Sequence, residues 1–136
     1  MSEHIVEQYP NIENNQVLSY QVDIINRTLC ILTKSADGKS HIEIIFTGVL
    51  SHRFEDVILS NLLYEISQFT IDYFIAANKE VINESLEYGY PAQKMDNIGA
   101  LKDFLKKEKY KIFDITSTLG LCGEVIAKEI SIEIKK

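Results

Sequence analysis

Residues 29–46 read LCILTKSADGKSHIEIIF, and this stretch decides the fold. Two apolar runs flank a polar turn, and the Asp37-Gly38 pair suits a tight hairpin because glycine tolerates a positive φ. Alternate residues after the turn are apolar: Ile42, Ile44 and Phe46. A period of two is typical of a strand with one face toward a core, so the stretch predicts an antiparallel hairpin.

The same period of two extends on both sides of the hairpin. Apolar and polar residues alternate over residues 17–24, which predicts a strand before the hairpin and a three-stranded meander. Residues 1–15 are polar and turn-forming, and we expect them to be loosely ordered or to lie at an edge. After the meander, residues 51–56 break the alternation and residues 61–68 resume it as a fourth strand.

The middle of the chain changes to helical spacing. Thr70 suits the N-cap of a helix whose apolar residues recur every three or four positions, and this helix should end near Gly89. A second, shorter amphipathic helix is predicted from Asp96 to Lys109, where lysines complement the helix dipole.

The C-terminal part returns to strand patterns over residues 110–118 and 124–135. Together these patterns predict one α+β domain over residues 1–136: a largely antiparallel sheet of about six strands with two helices packed on one face.

The acidic composition limits the class of partner. The chain has 136 residues, with 20 Asp and Glu against 14 Lys and Arg, and a net charge of −6. Nucleic acids and anionic membranes are bound through clustered Lys and Arg, so this charge argues against both and suits a basic protein partner. An acidic surface also serves simply to keep a cytosolic protein soluble.

The sequence also indicates a compartment. It contains no run of about 20 apolar residues and no basic leader before an apolar stretch. Cys30 and Cys122 are far apart and fit no metal spacing, so we expect free thiols in a reducing compartment, although a disulfide between them remains an open alternative. These features predict a cytoplasmic protein.

No catalytic motif, cofactor motif or metal motif is evident. The three histidines are His4, His41 and His52, and none belongs to an HExxH motif or a helical pair. His52 with Glu55 and Asp56 is a local cluster of ligand types, for which salt bridging with Arg53 is the simpler interpretation. We therefore expect a protein without enzymatic activity. The alternative is an enzyme whose site is assembled from distant residues, first among them His52, Asp114 and Ser117.

Tyrosines mix with carboxylates along the chain, a composition that suits docking on a basic protein surface. Tyr64, Tyr73 and Tyr110 are also typical of residues that edge a core with their hydroxyl groups in water. We expect the partner-binding surface to draw on Glu43, Glu55, Asp56, Glu65, Asp72, Glu84, Glu87, Tyr88 and Tyr90.

Two stretches of strand and turn residues stand out. The first is IEIIFTGV (42–49) with HRF (52–54) and NLLYEI (61–66), and the second is ITSTLGLCGEVIAK (115–128). Together they resemble small bacterial proteins of the YxiG-like and immunity-protein type. The resemblance implies a non-enzymatic protein, in some cases encoded beside a secreted toxin whose toxic domain it binds and neutralises, and it supplies no catalytic residues.

The leading hypothesis is thus an immunity-type inhibitor that neutralises a toxin domain through acidic surface complementarity. A different class, a homo-oligomeric scaffold or regulatory subunit that pairs its strand edges with copies of itself, also fits the sequence.

Overall fold

A computed structural model describes residues 4–9, 11–93 and 95–135, which form one nine-stranded sheet with a helical layer. The strands are β1 (Ile5–Tyr9), β2 (Gln16–Asp23), β3 (Thr28–Lys34), β4 (His41–Thr47), β5 (Ser51–Glu55), β6 (Leu62–Phe69), β7 (Lys111–Leu119), β8 (Cys122–Ala127) and β9 (Glu129–Lys135). The helices are α1 (Ile71–Ala77), α2 (Lys79–Ser85) and α3 (Ile98–Lys107), and a 3₁₀ turn (Leu86–Tyr88) follows α2. The predicted mixture of helices with a mostly antiparallel sheet is confirmed.

The predicted hairpin is formed by β3 and β4, which pair along their full lengths. At the turn, the Asp37 carboxylate accepts hydrogen bonds from Ser35 Oγ at 2.6 Å and from the Lys39 amide at 2.9 Å. Gly38 has a φ of +74°, the conformation for which the turn requires glycine. β2 pairs with β3 on the other side and completes the meander.

The sheet curls back on itself. Neighbouring strands follow the order β5-β8-β7-β6-β2-β3-β4-β9, and β1 pairs with β6. The chain itself connects the two ends of this order, β5-β8 and β4-β9. Residues 48–50 join β4 to β5, and Lys128 joins β8 to β9. The Leu50 amide donates to the Ile126 carbonyl at 2.7 Å, and the Lys128 amide donates to the Thr47 carbonyl at 3.0 Å. Two bent strands therefore run side by side and close the sheet into a barrel-like ring.

The interior of this ring holds the main apolar cluster. The rings of Phe46 on β4 and Phe113 on β7 have centroids 5.4 Å apart, so side chains of these two non-adjacent strands pack against each other inside the ring. Other buried members of the cluster are Leu29, Ile31, Ile44, Leu63, Ile66, Ile115 and Val125. Burying a side chain of this size contributes about 1.5–3 kcal/mol to stability. Because a one-residue slip would turn all the buried side chains of a strand outward, the interior fixes the register of the strands.

The helical layer covers the outer face of β7 and β8. Ile112 and Ile126 lie opposite each other there and belong to the buried cluster that holds Leu101 and Leu105 of α3. Residues two positions along a strand share a face, so Asp114 and Glu124 also point toward the helical layer. None of the helices in the described ranges has the length and apolar character that crossing a membrane requires.

The sheet has more strands than the six predicted. The prediction of a break over residues 51–56 is wrong, because Ser51–Glu55 forms β5 and pairs with β8. Alternation fails there because Arg53 faces a polar cluster instead of solvent or core. The last predicted strand, residues 124–135, is divided at Lys128 into β8 and β9, because the chain bends there to follow β4.

The first predicted helix is interrupted, so that three α-helices replace the predicted two. Thr70 caps α1 as predicted, with its hydroxyl accepting from the Tyr73 amide at 3.1 Å. Asn78 then leaves helical geometry with φ −118° and ψ 21°, and its side-chain amide donates to the Phe74 carbonyl at 2.9 Å. α3 is capped by Asn97, one residue after the predicted start.

The N-terminal segment, expected to be loose or edge-lying, contains an edge strand. β1 pairs with β6 from Ile5 opposite Phe69 to Tyr9 opposite Ile66. Further along, Asn15 is buried and its side-chain amide donates to Thr33 Oγ1 at 3.1 Å.

Candidate functional site

A buried ion pair lies between the helical layer and the outer face of the sheet. Glu124 on β8 is 5% exposed, and the strand register places Arg53 of β5 directly opposite it. Arg53 Nε donates to Glu124 Oε1 at 2.9 Å, and the Tyr90 hydroxyl donates to the same oxygen at 2.5 Å. Two donors on one carboxylate oxygen offset the cost of removing its charge from water.

Tyr90 is part of this buried cluster. Burial, followed by the hydrogen bond to the Glu124 carboxylate, raises the pKa of Tyr90, because ionisation would place a second negative charge beside the first. Tyr90 is predicted from the sequence to belong to a partner-binding surface, whereas in the structure its hydroxyl points inward and donates to the buried Glu124 carboxylate.

Asp114 lies beside this pair but outside its hydrogen bonds. In the β7–β8 register it stands opposite Glu124. Burial and, secondarily, the charges of Glu124 and Glu65 raise the pKa of Asp114 to about 6. No hydrogen bond links its carboxyl group to any other residue that the structure describes. Asp114 is thus a partly buried carboxyl group without a donor.

A cavity of about 370 Å³ opens in front of Asp114. Residues of β5, the end of β6, α1, β7 and β8 line it. Three of the lining residues are aromatic: Phe69, Tyr73 and Phe74. The charged lining consists of Arg53 with the carboxylates of Glu55, Asp114 and Glu124.

A second concave surface lies beside α2. Glu84, Glu87 and Asp96 line a cleft of about 510 Å³, and the neighbouring Tyr88 is 82% exposed. Among the residues that the structure describes, no lysine or arginine lies within 4 Å of these three carboxylates. These four residues are termed the α2 surface below.

Other acidic residues assigned to the partner-binding surface have cations of their own. The Asp72 carboxylate contacts Lys102 Nζ at 2.7 Å and Lys106 Nζ at 3.2 Å, and hydrogen bonds from both lysines lower the pKa of Asp72. Glu43 Oε1 contacts Lys135 Nζ at 3.3 Å. Internal cations therefore offset both charges.

The structure also separates these residues in space. Glu43 lies on the outside of β4, which pairs with β3 and β9 and contributes no residue to the cavity. Glu65 accepts hydrogen bonds from Ser67 Oγ at 2.7 Å and Gln8 Nε2 at 3.1 Å. Glu84, Glu87 and Tyr88 come together, whereas Glu43 and Glu65 lie elsewhere.

Glu55 and Asp56 lie at the end of β5. Glu55 Oε1 contacts Arg53 Nη1 at 3.3 Å, in line with the salt bridging expected for this segment. Cys122 Sγ lies 3.8 Å from Asp56 Oδ2. Across the described ranges, no three His, Cys, Asp or Glu side chains are placed to hold a metal ion.

The structure does not bring His52 and Ser117 to Asp114. The Ser117 hydroxyl donates to the Leu121 carbonyl. The His52 ring lies 5.3 Å from that of Phe54, centroid to centroid, and burial lowers its pKa. Neither lines the cavity in front of Asp114, so a catalytic group of these three side chains is not assembled.

Comparisons of the chain with models of protein families, with curated proteins and with solved structures find no match. The resemblance to immunity-type proteins stays a prediction. The two concave sites are the features of the structure that bear on function.

The Arg53–Glu124 pair is not among the sites predicted from the sequence. One signal was available, because Glu124 is the charged residue in the otherwise uncharged run LCGEVIA (121–127) and a charge in such a run indicates a buried partner. That partner, Arg53, could not be identified while its strand was interpreted as a break.

Proposed function

We propose that this chain is a non-enzymatic protein-binding domain that docks a basic protein on its α2 surface. The observation that supports this most is the absence of a described cation within 4 Å of Glu84, Glu87 or Asp96, in contrast to Glu43 and Asp72. The negative potential of carboxylates without an internal cation is not neutralised within the chain. Such a potential attracts a basic partner and raises the rate of association.

Tyr88 supplies the second requirement of such a surface. Acidic side chains steer a partner but contribute little binding energy at an exposed rim, whereas a tyrosine buries a large, rigid, amphipathic ring. At 82% exposure Tyr88 has most of that area free for a partner.

In its most specific form, the proposal is an immunity-type inhibitor that neutralises a bacterial toxin domain in the cytoplasm. The net charge of −6 and the resemblance of residues 42–66 and 115–128 to immunity-type proteins support this form. An acidic surface imitates the phosphate charge that a basic nuclease holds, which would occlude such a toxin's active site.

A homo-oligomeric scaffold is the second candidate, and one observation favours it. β5 pairs with β8 on one edge, and the segment after it exposes apolar side chains, with Leu59 fully exposed and Ile58 half-exposed. An open edge beside exposed apolar residues is a place where a second copy can pair.

Retention of a basic protein by tagged variants tests the proposal. The wild-type chain, E84Q/E87Q and E13Q/E133Q are compared in pull-downs from source lysate, at low and moderate salt. The control pair removes the same charge from exposed carboxylates outside the α2 surface. We expect one basic chain to be retained by the wild type and the control, to be lost from E84Q/E87Q, and to be weakened by salt.

Equal retention by both double variants would place the contact elsewhere and contradict the proposal. Light scattering after size exclusion measures the second candidate directly. A stable oligomer that persists in E84Q/E87Q, with no basic chain retained, would favour the scaffold.

A further inference from the structure

The cavity in front of Asp114 carries an inference separate from the α2 surface. We propose that this cavity binds an organic cation, an ammonium or guanidinium group carried on a small apolar stem. Three features of the cavity favour such a ligand: the charges that line it, the Asp114 carboxyl group, to which no described residue donates, and the aromatic residues of the lining.

The charges that line the cavity are unequal. Arg53 is the single cation among the lining residues, and Glu55, Asp114 and Glu124 are carboxylates. Arg53 is already engaged, because its Nε and Nη2 donate to Glu124 and its Nη1 contacts Glu55 at 3.3 Å. A cationic ligand would balance the remaining negative charge, whereas an anion would add to it.

Asp114 marks where the charged group of the ligand would lie. Its carboxyl group has no hydrogen-bond donor among the described residues, although it lines a cavity with room for one. The Asp114 carboxyl group is partly buried, so it carries part of the desolvation cost of an unpaired acceptor, and a ligand N–H group would remove that cost. An ammonium or guanidinium group also supplies opposite charge, which roughly doubles the strength of such a bond.

The aromatic residues of the lining indicate what the rest of the ligand is. Phe69, Tyr73 and Phe74 line the same cavity as Asp114. Aromatic faces attract organic cations and also bury an apolar stem. A volume of about 370 Å³ is at the small end for ligand sites, so one ring or a short alkyl chain fits.

Two sources could supply this chemistry, a free small amine or a lysine or arginine side chain of a protein. The experiment therefore uses two probes, benzylammonium and Nα-acetyl-lysine amide, each titrated into the ¹⁵N-labelled full-length chain at pH 7. Amide shifts should map to β7, β8 and α1. Saturation by benzylammonium alone assigns a free amine, and tighter binding of the lysine derivative assigns a side chain.

Matched variants separate this cavity from general attraction between an acidic protein and a cation. D114N keeps the shape of the side chain and removes its charge, and E13Q makes the same charge change on an exposed carboxylate outside both the cavity and the α2 surface. We expect benzylammonium to bind D114N at least about tenfold more weakly than the wild type and to bind E13Q unchanged. Benzyl alcohol, which has the same ring without the charge, should produce no comparable shifts.

The wild-type chain provides a second readout that needs no variant. Charged or titratable groups face Asp114 from the surrounding elements: Arg53 and Glu55 on β5, Glu65 on β6, Tyr73 on α1, and Cys122 and Glu124 on β8. Because the pKa of Asp114 is about 6, about nine in ten Asp114 carboxyl groups are protonated at pH 5 and about one in ten at pH 7, so affinity for the cation should fall about tenfold from pH 7 to pH 5.

Three results would overturn the inference: equal affinity of D114N and the wild type for benzylammonium, shifts that lie outside the cavity, or affinity independent of pH between 5 and 7. The α2 surface is not involved in this test. Failure here leaves the proposed protein-binding function intact, and loss of basic-partner binding in E84Q/E87Q leaves the cation site intact.

Discussion

Two carboxylates that stand opposite each other, Asp114 and Glu124, have different surroundings. Glu124 accepts from Arg53 and Tyr90, so its charge is balanced although it is nearly fully buried. None of the described residues donates to Asp114, and its pKa rises to about 6 because burial and two neighbouring carboxylates disfavour its charged form. The unbalanced charge of Asp114 therefore lowers the free energy of unfolding of the chain.

Asp114→Asn should therefore stabilise the chain at neutral pH. Because the pKa of Asp114 is higher in the folded chain than in the unfolded chain, the unfolded chain loses this proton at a lower pH. The free energy of unfolding therefore falls as the pH rises from about 4 to about 6. We expect the free energy of unfolding at pH 7 to increase by about 1–2 kcal/mol in D114N, a value reduced because solvent still reaches the carboxyl group. Urea denaturation at pH 7 and pH 4 measures it.

The gain should be much smaller at pH 4, where Asp114 is protonated in the folded chain and about half protonated in the unfolded chain. E84Q serves as the control, because Glu84 is exposed, and its unfolding free energy should change little at either pH. A D114N variant that is less stable than the wild type at pH 7 would contradict the unbalanced charge.

Among the elements, the β3–β4 hairpin was predictable and β5 was not. The hairpin depends on local signals, the Asp37-Gly38 turn and an alternation with period two. β5 depends on distant residues, because its backbone pairs with β8 at a point where Gly123 lies against it. A Cβ on Gly123 would meet the Arg53 carbonyl oxygen at 1.8 Å, and Gly123 has a φ of +150°.

Gly123→Ala should accordingly destabilise the β5–β8 pair. Either the Arg53 backbone must move or alanine must adopt a strained conformation, and we expect a loss of about 3 kcal/mol or more in unfolding free energy. Gly99→Ala in α3 is the control, where the nearest contact is a side-chain oxygen at 3.1 Å and helix propensity favours alanine. Equal stability of the two variants in denaturant titrations would show that β5 does not approach Gly123 this closely.

At the scale of the whole molecule, the class of the fold followed from local patterns, whereas both concave sites depend on long-range arrangement. The cavity requires the register of β5, β8 and β7, which brings Arg53, Glu124 and Asp114 into one row. The α2 surface depends on the positions of the lysines. Lys102 and Lys106 contact Asp72, and neither contacts Glu84. Spacing along a sequence contains neither fact.

β1 completes the sheet where β2 leaves β6, since β2 and β6 share only the pair Gln16 and Leu62. Deleting residues 1–9 would uncover the β6 edge from Ile66 to Phe69 and remove Tyr9 from the core. We expect a lower denaturation midpoint and self-association that grows with concentration, because an uncovered strand edge pairs with other copies. Light scattering over a concentration series measures it. A truncated chain that stays monomeric with an unchanged midpoint would show that β1 is dispensable.

The pairing that closes the ring joins segments far apart along the chain. β4 pairs with β9 from Thr47 opposite Glu129 to His41 opposite Lys135, so each contact encloses a loop on the order of 80 residues. Loop-closure entropy must be overcome before any of these contacts forms, and topologies of this kind fold in milliseconds to seconds instead of microseconds. Until β9 pairs with β4, the edge of β4 is unpaired, and molecular chaperones would bind the folding chain at this edge.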